Sequence, residues 1–363
     1  MPVFKYAIYC CFLLIVFSCN ADDGGTDLPE IEESEESPGI RVENGKLLDK
    51  NGQEFIPFGV NSIHIWLDEQ NSLNALENEI PKSGANTVRL VTAGKSWTWN
   101  NQSRTTGQKR ALVQKAINAG LVPMIEMHDG TCVTNCDQAP ADGKMGLKQL
   151  VDEWLEPQNR SLLIEFEKEL MLNIANEWGA ADETFLSCYK EAISRLRAAN
   201  VNNVIVIDAG GNCGQNPNSL LDYGNEIFHH DPLKNVVFSI HMYGFWRTND
   251  KEFTNWTPPF SVEELVPRLA MLDAPVVLGE FGWSGEGSAI NYNPEILLET
   301  CKANGIGWLF WAWSDGPDKP FYGVVDTPDY RYETDGDLSE AGQALVHDAS
   351  FGFKAISKTP AGF

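Results

Sequence analysis

Positive charge is what this sequence has least of. Its 27 lysines and arginines are set against 51 aspartates and glutamates, a formal net charge of -24. Nucleic-acid binding depends on a positive field over phosphates, so nucleic acid is not an expected partner and a polyanionic substrate is disfavoured. No glycine-rich phosphate turn follows the first strand-like run, which argues against a doubly wound dinucleotide-binding sheet. No second Cys or His pair follows Cys132 and Cys136 at finger-like spacing, so a zinc finger is not expected. No internal repeat and no shift of composition after residue 40 divide the chain, which argues for one domain.

The apolar run from Tyr6 to Phe17 is too short to span a bilayer comfortably. Preceded by Lys5 and followed by Ser18 and Cys19, it has the layout of an export signal over residues 1–18. LIVFSC resembles the lipobox of bacterial lipoproteins, which implies cleavage before Cys19 and acylation of that cysteine. The expected location is therefore membrane-anchored, at the bacterial outer membrane or cell surface. Residues 19–39 are rich in Asp, Glu, Gly, Ser and Pro and carry no basic residue. Such a segment cannot bury enough apolar surface to offset its ordering entropy and is expected to be a flexible tether. Of the cysteines beyond Cys19, Cys132 and Cys136 are expected to pair in a short loop, leaving Cys188, Cys213 and Cys301 open.

From residue 40 to 363 the chain has the composition of a folded protein; overall it is 43% hydrophobic and 10% aromatic. Asn44-Gly45 and Asn51-Gly52 mark hairpin turns at the start. Apolar, β-branched runs then recur at about 56 to 62, 87 to 92, 122 to 128, 170 to 176, 203 to 209, 236 to 242, 275 to 281 and 306 to 313. Helix-like sequence separates them, with Gly120 ending one helix and Asp182 placed to cap another. Eight strand-and-helix units predict a single (β/α)8 TIM barrel behind a short N-terminal β-hairpin, and a monomer.

Chemistry in that fold gathers where strands end. The runs deliver there Asn61, His64 and Trp66, then Arg89, then Glu126, His128 and Asp129, then Asn176 and Glu177. Asp208, His241 with Tyr243, Glu280 with Trp283, and Trp308, Trp311 and Trp313 follow. Burial beside Trp178 would raise the pKa of Glu177 and suit it to donate a proton. Two carboxyls ringed by aromatics suit glycoside hydrolysis, because sugar faces stack on indole while their hydroxyls need polar partners. Among the tryptophans Trp311 ranks first as a sugar platform, ahead of Trp97, Trp99, Trp246 and Trp283.

VRL around Arg89, MHD around His128, NIANEW around Glu177, SIHMY around His241 and GEFGW around Glu280 together resemble glycoside hydrolase family 5 of clan A. GVNSIHIW, GANTVRLV, NNVIVIDAG, DYGNEIFHHDP and GIGWLFWAW resemble its bacterial endo-β-1,4-mannanase branch. The resemblance implies a retaining endo-hydrolase of β-mannan; no cofactor and no catalytic metal are expected, and a calcium site stays open. It implies Glu177 as acid/base and Glu280 as nucleophile. Arg89 and Tyr243 would bond the nucleophile, Asn176 would hold the sugar 2-hydroxyl, His128 and His241 would shape the subsite, and Trp311, with Trp97 and Trp283, would bind sugar. Cys213 and Trp283 depart from the branch pattern and are expected at the rim, where they would affect distal subsites.

Three alternatives remain. An endo-β-1,4-glucanase differs only in how it reads the 2-hydroxyl. A surface glycan-binding lipoprotein would have lost its catalysis. A metal-dependent barrel hydrolase would need a His-x-His on the first strand, where His64-Ile65-Trp66 stands, and a carbamylated lysine on the fourth, where Asn176 and Glu177 stand.

Overall fold

Two Asn-Gly turns open the described chain. Asn44 and Gly45 both take left-handed φ values, 53° and 73°, as a two-residue hairpin turn requires, and join β1 (Arg41–Glu43) to β2 (Lys46–Leu48). The computed structural model describes residues 38–95, 105–137, 143–283, 290–316 and 322–363. The export signal, Cys19, nearly all of the expected tether, Trp97 and Trp99 lie outside the described residues. Among the described residues packing begins at Gly39. There φ is 77°, and a Cβ would lie 2.5 Å from the Lys168 backbone.

Eight parallel strands close into a barrel: β3 (Phe58–Ile63), β4 (Thr87–Thr92), β5 (Val122–Met127), β6 (Met171–Asn173), β7 (Ile205–Asp208), β8 (Val236–Met242), β11 (Val276–Phe281) and β12 (Gly307–Phe310). Two short strands, β9 (Trp246–Arg247) and β10 (Phe260–Ser261), pair in the loop after β8. Around the barrel run α1 (Glu69–Asn74), α2 (Thr106–Asn118), α3 (Leu147–Trp154), α4 (Pro157–Glu165), α5 (Glu183–Ala198), α6 (Asn218–His230), α7 (Val262–Leu269) and α8 (Pro294–Ala303). After the last strand come α9 (Glu340–His347) and α10 (Phe353–Ile356). Asp182 caps α5 as expected, accepting from the Thr184 N–H at 2.8 Å. No helix among the described residues is long and apolar enough to cross a membrane.

Period-two alternation explains how apolar runs deliver polar side chains inward. In β4, Val88 and Leu90 join the main core while Arg89 reaches polar partners on β3 and β6 and on β11 across the barrel. All of these side chains are buried, because a parallel barrel is covered on both faces. A separate apolar cluster of Ile63, Ile65, Val91, Ala93, Trp311 and Ala312, with Trp66, Tyr243 and Tyr322 against it, gathers residues at and beyond the strand ends.

Two expectations about the strands need correction. The fourth barrel strand stops at Asn173 instead of running to residue 176, so Glu177 lies beyond the ladder with φ 49°. The chain there is held by single backbone bonds to its neighbours, from Ile174 N–H to Val206 and from Asn176 N–H to Met127. The cysteines also pair otherwise than expected. Cys132 bonds Cys213 and Cys136 bonds Cys188, with Cα separations of 4.4 and 6.2 Å, and Cys301 is a buried free thiol. Spacing along the chain favours the nearer cysteine, but the barrel brings the loops after β5 and β7 together on either side of β6.

Candidate active site

Arg89 organises the strand ends. Fully buried, its guanidinium donates to Asn173 Oδ1 from Nε and Nη2 (3.0 and 2.8 Å), to Asn61 Oδ1 and Glu280 Oε1 from Nη1 (3.0 and 2.9 Å), and to Asn176 Oδ1 from Nη2 (2.6 Å). A buried charge is tolerable only when paired and hydrogen-bonded, and here each nitrogen finds at least one partner. Asp208 adds a second carboxylate 3.4 Å away.

Glu280 owes its position to a bulge. The register of β11 against β8 slips between Leu278 and Glu280, which sets Glu280 opposite His241. Gly279 permits the slip, since a Cβ there would lie 2.2 Å from Ser239 Oγ. Its carbonyl accepts from Asn61 Nδ2 at 2.9 Å. Both oxygens of Glu280 then meet donors: Arg89 on Oε1, and the Tyr243 hydroxyl on Oε2 at 3.1 Å. Burial and neighbouring carboxylates hold the Tyr243 pKa well above its ordinary value, so it remains a donor.

Glu177 faces that carboxylate. His241 Nδ1 lies 3.0 Å from Glu177 Oε1 and 3.5 Å from Glu280 Oε2, and one ligand atom from each of the three residues falls within 4.8 Å of the others. The backbone N–H of Glu177 donates to Asp208 Oδ2 at 2.9 Å. Burial, followed by the charges of Glu280 and Asp208, drives the Glu177 pKa well above the ordinary carboxyl value. Burial also pushes Glu280 up and Arg89 pulls it down, which together leave it at about 7. Among the described residues Glu177 receives no guanidinium bond, so unlike surroundings separate two chemically identical groups and favour the proton on Glu177.

His128 and His241 both favour the neutral form. Burial lowers His128 to about 4 and His241 well below its ordinary value. Asn176 donates through Nδ2 to Thr131 Oγ1 (2.8 Å) and faces His128 Nε2 at 3.4 Å, while His128 Nδ1 lies 3.2 Å from Glu126 Oε1. The tautomer that serves both contacts donates from Nδ1 to Glu126 and accepts at Nε2. The His128 ring also stacks on Trp311, centroids 5.7 Å apart, and Trp66 meets Trp311 at 6.0 Å. Trp311 is set beside β11 by its N–H bond to the Phe281 carbonyl, 3.1 Å.

Arg89, His128, Asn176, Glu177, His241, Tyr243, Glu280 and Trp311 therefore converge as expected. Trp283, expected to bind sugar, is 4% exposed and packs with the main core. Trp246 is fully buried, its indole N–H bonded to the Gln215 carbonyl at 2.9 Å. Cys213 is not at a distant rim either, since its sulfur lies within 4.8 Å of a Glu177 carboxylate oxygen. Asn61 and Asp208 stood among the strand-end residues without an assigned role, and Asn173 and Thr131 were missed. An asparagine inside the apolar run MLN was the signal for Asn173. Glu177, His241 and Glu280 could together offer three ligand atoms to a cation, but Arg89 fixes a positive charge on Glu280 and disfavours one there.

A Cellulase (glycosyl hydrolase family 5) family model matches residues 48–317. The chain is 30% identical over 324 residues to a mannan endo-1,4-beta-mannosidase of Salipaludibacillus agaradhaerens, covering 88% of this chain and 94% of that one. Its fold is similar to the catalytic domain of a mannanase from Streptomyces sp. SirexAA-E, with TM-score 0.76, 25% identity, and 93% and 98% of the two chains covered. It is also similar to a Thermomonospora fusca β-mannanase in complex with mannohexaose, with TM-score 0.70, 26% identity, and 88% and 98% covered. The family match runs through every barrel strand and takes in both facing glutamates, and on it the chain belongs to glycosyl hydrolase family 5.

Proposed function

We propose that this chain is a retaining endo-β-1,4-mannanase, cleaving internal bonds of mannan, glucomannan or galactomannan by double displacement. One observation carries the reaction type: the facing carboxylate oxygens of Glu177 and Glu280 lie within 4.8 Å. Retaining sites hold their carboxyls about 5 to 5.5 Å apart, whereas inverting sites leave about 6.5 to 9.5 Å for a water. In the first step Glu177 gives its proton to the glycosidic oxygen while Glu280 attacks the anomeric carbon. The leaving chain departs and a glycosyl ester remains. In the second step the Glu177 carboxylate takes a proton from water, whose oxygen attacks the same carbon and frees Glu280.

Arg89 and Tyr243 hold the Glu280 carboxylate in its ionised, attacking form. Asn176, its amide turned by Arg89 and Thr131, meets the 2-hydroxyl, and Trp311 stacks under the sugar at the cleavage point. Support for mannan as the substrate comes from the relatives' names and from the mannohexaose complex of one neighbour. The endoglucanase reading needs no different catalytic machinery but has less support from those relatives. An exported, lipid-anchored monomer is the setting we propose, on the lipobox-like run ending at Cys19.

The test combines substrate and stereochemistry. Reducing ends should appear faster from glucomannan and galactomannan than from carboxymethylcellulose, and the opposite order would overturn the mannan reading. With an activated aryl β-mannoside, azide should rescue Glu280→Ala to an α-azide and Glu177→Ala to a β-azide. Exchange of those configurations would reverse the two roles.

A further inference from the structure

Both sulfurs of the Cys132–Cys213 disulfide and a carboxylate oxygen of Glu177 lie within 4.8 Å of one another. The bridge joins the loop after β5 to the loop after β7, on either side of the segment that carries Glu177. Three further contacts tie the same loops to that residue and to His241 beside it. The Cys132 N–H donates to the Glu177 carbonyl at 3.2 Å, and the His241 N–H donates to the Gly214 carbonyl at 3.0 Å. Gly214 lies so close that a Cβ on it would be 3.0 Å from Glu177 Cγ and 3.2 Å from His241 Nδ1. Cys132, Glu177, Asn212 and Cys213 all take left-handed φ values, 60°, 49°, 48° and 52°. Non-glycine residues persist in that region where the surroundings over-determine them.

We infer that the Cys132–Cys213 disulfide is a positioning crosslink for the acid/base step: it fixes the backbone at Glu177 and walls its carboxyl from water. This rests on the acid/base reading of Glu177. Cys132 is exposed and Cys213 partly so, which makes the bridge an outer cover of the carboxyl. Sulfur offers only weak hydrogen bonds, so it displaces water without solvating the charged form. The other groups around Glu177 are Glu280 on β11, Asp208 on β7, Arg89 on β4, His241 and Tyr243 at the end of β8, and Lys144 before α3. Opening the bridge admits water beside the acid while leaving those charges in place. The Cys136–Cys188 disulfide, which ties the same loop to α5, serves as the control.

Any disulfide restricts the unfolded chain, so a lower melting temperature would not discriminate. The discriminating readout is the leaving group. C132A/C213A, C136A/C188A, Glu177→Gln and the wild type are compared, well below their melting temperatures, on soluble mannan and on 2,4-dinitrophenyl β-mannobioside. The dinitrophenolate of the second substrate departs without a proton. C132A/C213A should lose about 10-fold or more in kcat on mannan, with its alkaline limb moved to lower pH, while its dinitrophenolate burst rate stays within about 3-fold of wild type. C136A/C188A should show no such split.

Equal losses on both substrates, or full activity on mannan, would overturn the inference. If C132A/C213A does not fold, the same split is read on C136A/C188A before and after reduction of its remaining bridge. Glu177→Gln separates the two hypotheses: without a leaving-group split in that variant, the acid/base reading itself fails, whatever the disulfide does.

Discussion

Arg89 and Glu177 hold opposite places in the energetics of the site. Arg89 is a buried cation with every nitrogen engaged, and deleting it would leave Glu280 buried without its charge partner, a loss on the order of 3 to 5 kcal/mol. Glu177 is a buried acid crowded by two other carboxylates, and ionising it in the free enzyme costs stability. Its folded pKa lies above the ordinary 4.5, so the native state keeps the proton longer than the unfolded chain does. Stability from that proton is complete below the unfolded pKa and is lost as pH rises toward the folded value. Glu177→Gln stays neutral throughout. It should melt with the wild type near pH 4.5 and above it by at least about 2 °C near pH 8, as thermal scans at the two pH values would show. Identical melting temperatures at both would mean that burial does not hold a proton on Glu177. The identity of both glutamates was legible from Asn-Glu and Gly-Glu at the ends of apolar runs. Their different surroundings were not, because the groups that separate them come from β4, β7 and β8.

The β11 bulge decides where one of those glutamates points. A regular β11 would carry residue 280 out of register with His241, since a slip of one residue turns a side chain to the other face. Gly279→Ala would press a methyl into Ser239 Oγ, and the relief is to shift the strand. The variant should lose about 10-fold or more in kcat while keeping its secondary structure, and adding Ser239→Ala should restore part of the loss. Circular dichroism with mannan kinetics checks both halves, and wild-type kcat in the single variant would sink the argument. In GEFGW the glycine is visible in the sequence, but nothing there says that a serine three residues before the end of β8 faces it. The same limit applies to β6. Its apolar run continues past Asn173, so the sequence extends the strand to residue 176, whereas the structure breaks the ladder and turns Glu177 into the left-handed region.

At the scale of the whole molecule the barrel is a device for convergence. Residues from β3, β4, β6, β7, β8 and β11 meet at Arg89 and the two glutamates, although the chain between the first and last of them exceeds 200 residues. Asn61 closes the seam, donating through Nδ2 to the carbonyls of Gly279, Leu309 and Phe310 at 2.9 to 3.2 Å. The proposed anchor rests on the acidic stretch before residue 40 and the cysteine at position 19. If Cys19 carries lipid, Cys19→Ala should move the protein from the detergent phase to the aqueous phase in a phase-partition assay, with activity on soluble mannan within about 2-fold of wild type. Equal partition of the two proteins would remove the anchor.

The sequence by itself determined the barrel, the order of its strands and the identities of the eight converging side chains. Hydrophobic periodicity and strand-end position are local properties, written within a few residues of each site. Only the tertiary structure decided which cysteines meet, that Trp283 turns into the core, that β6 ends early, and that Glu177 and Glu280 sit in unlike electrostatic surroundings. Each of those outcomes depends on which loops and strands the closed barrel makes neighbours, and that adjacency is set by ring closure, not by distance along the chain.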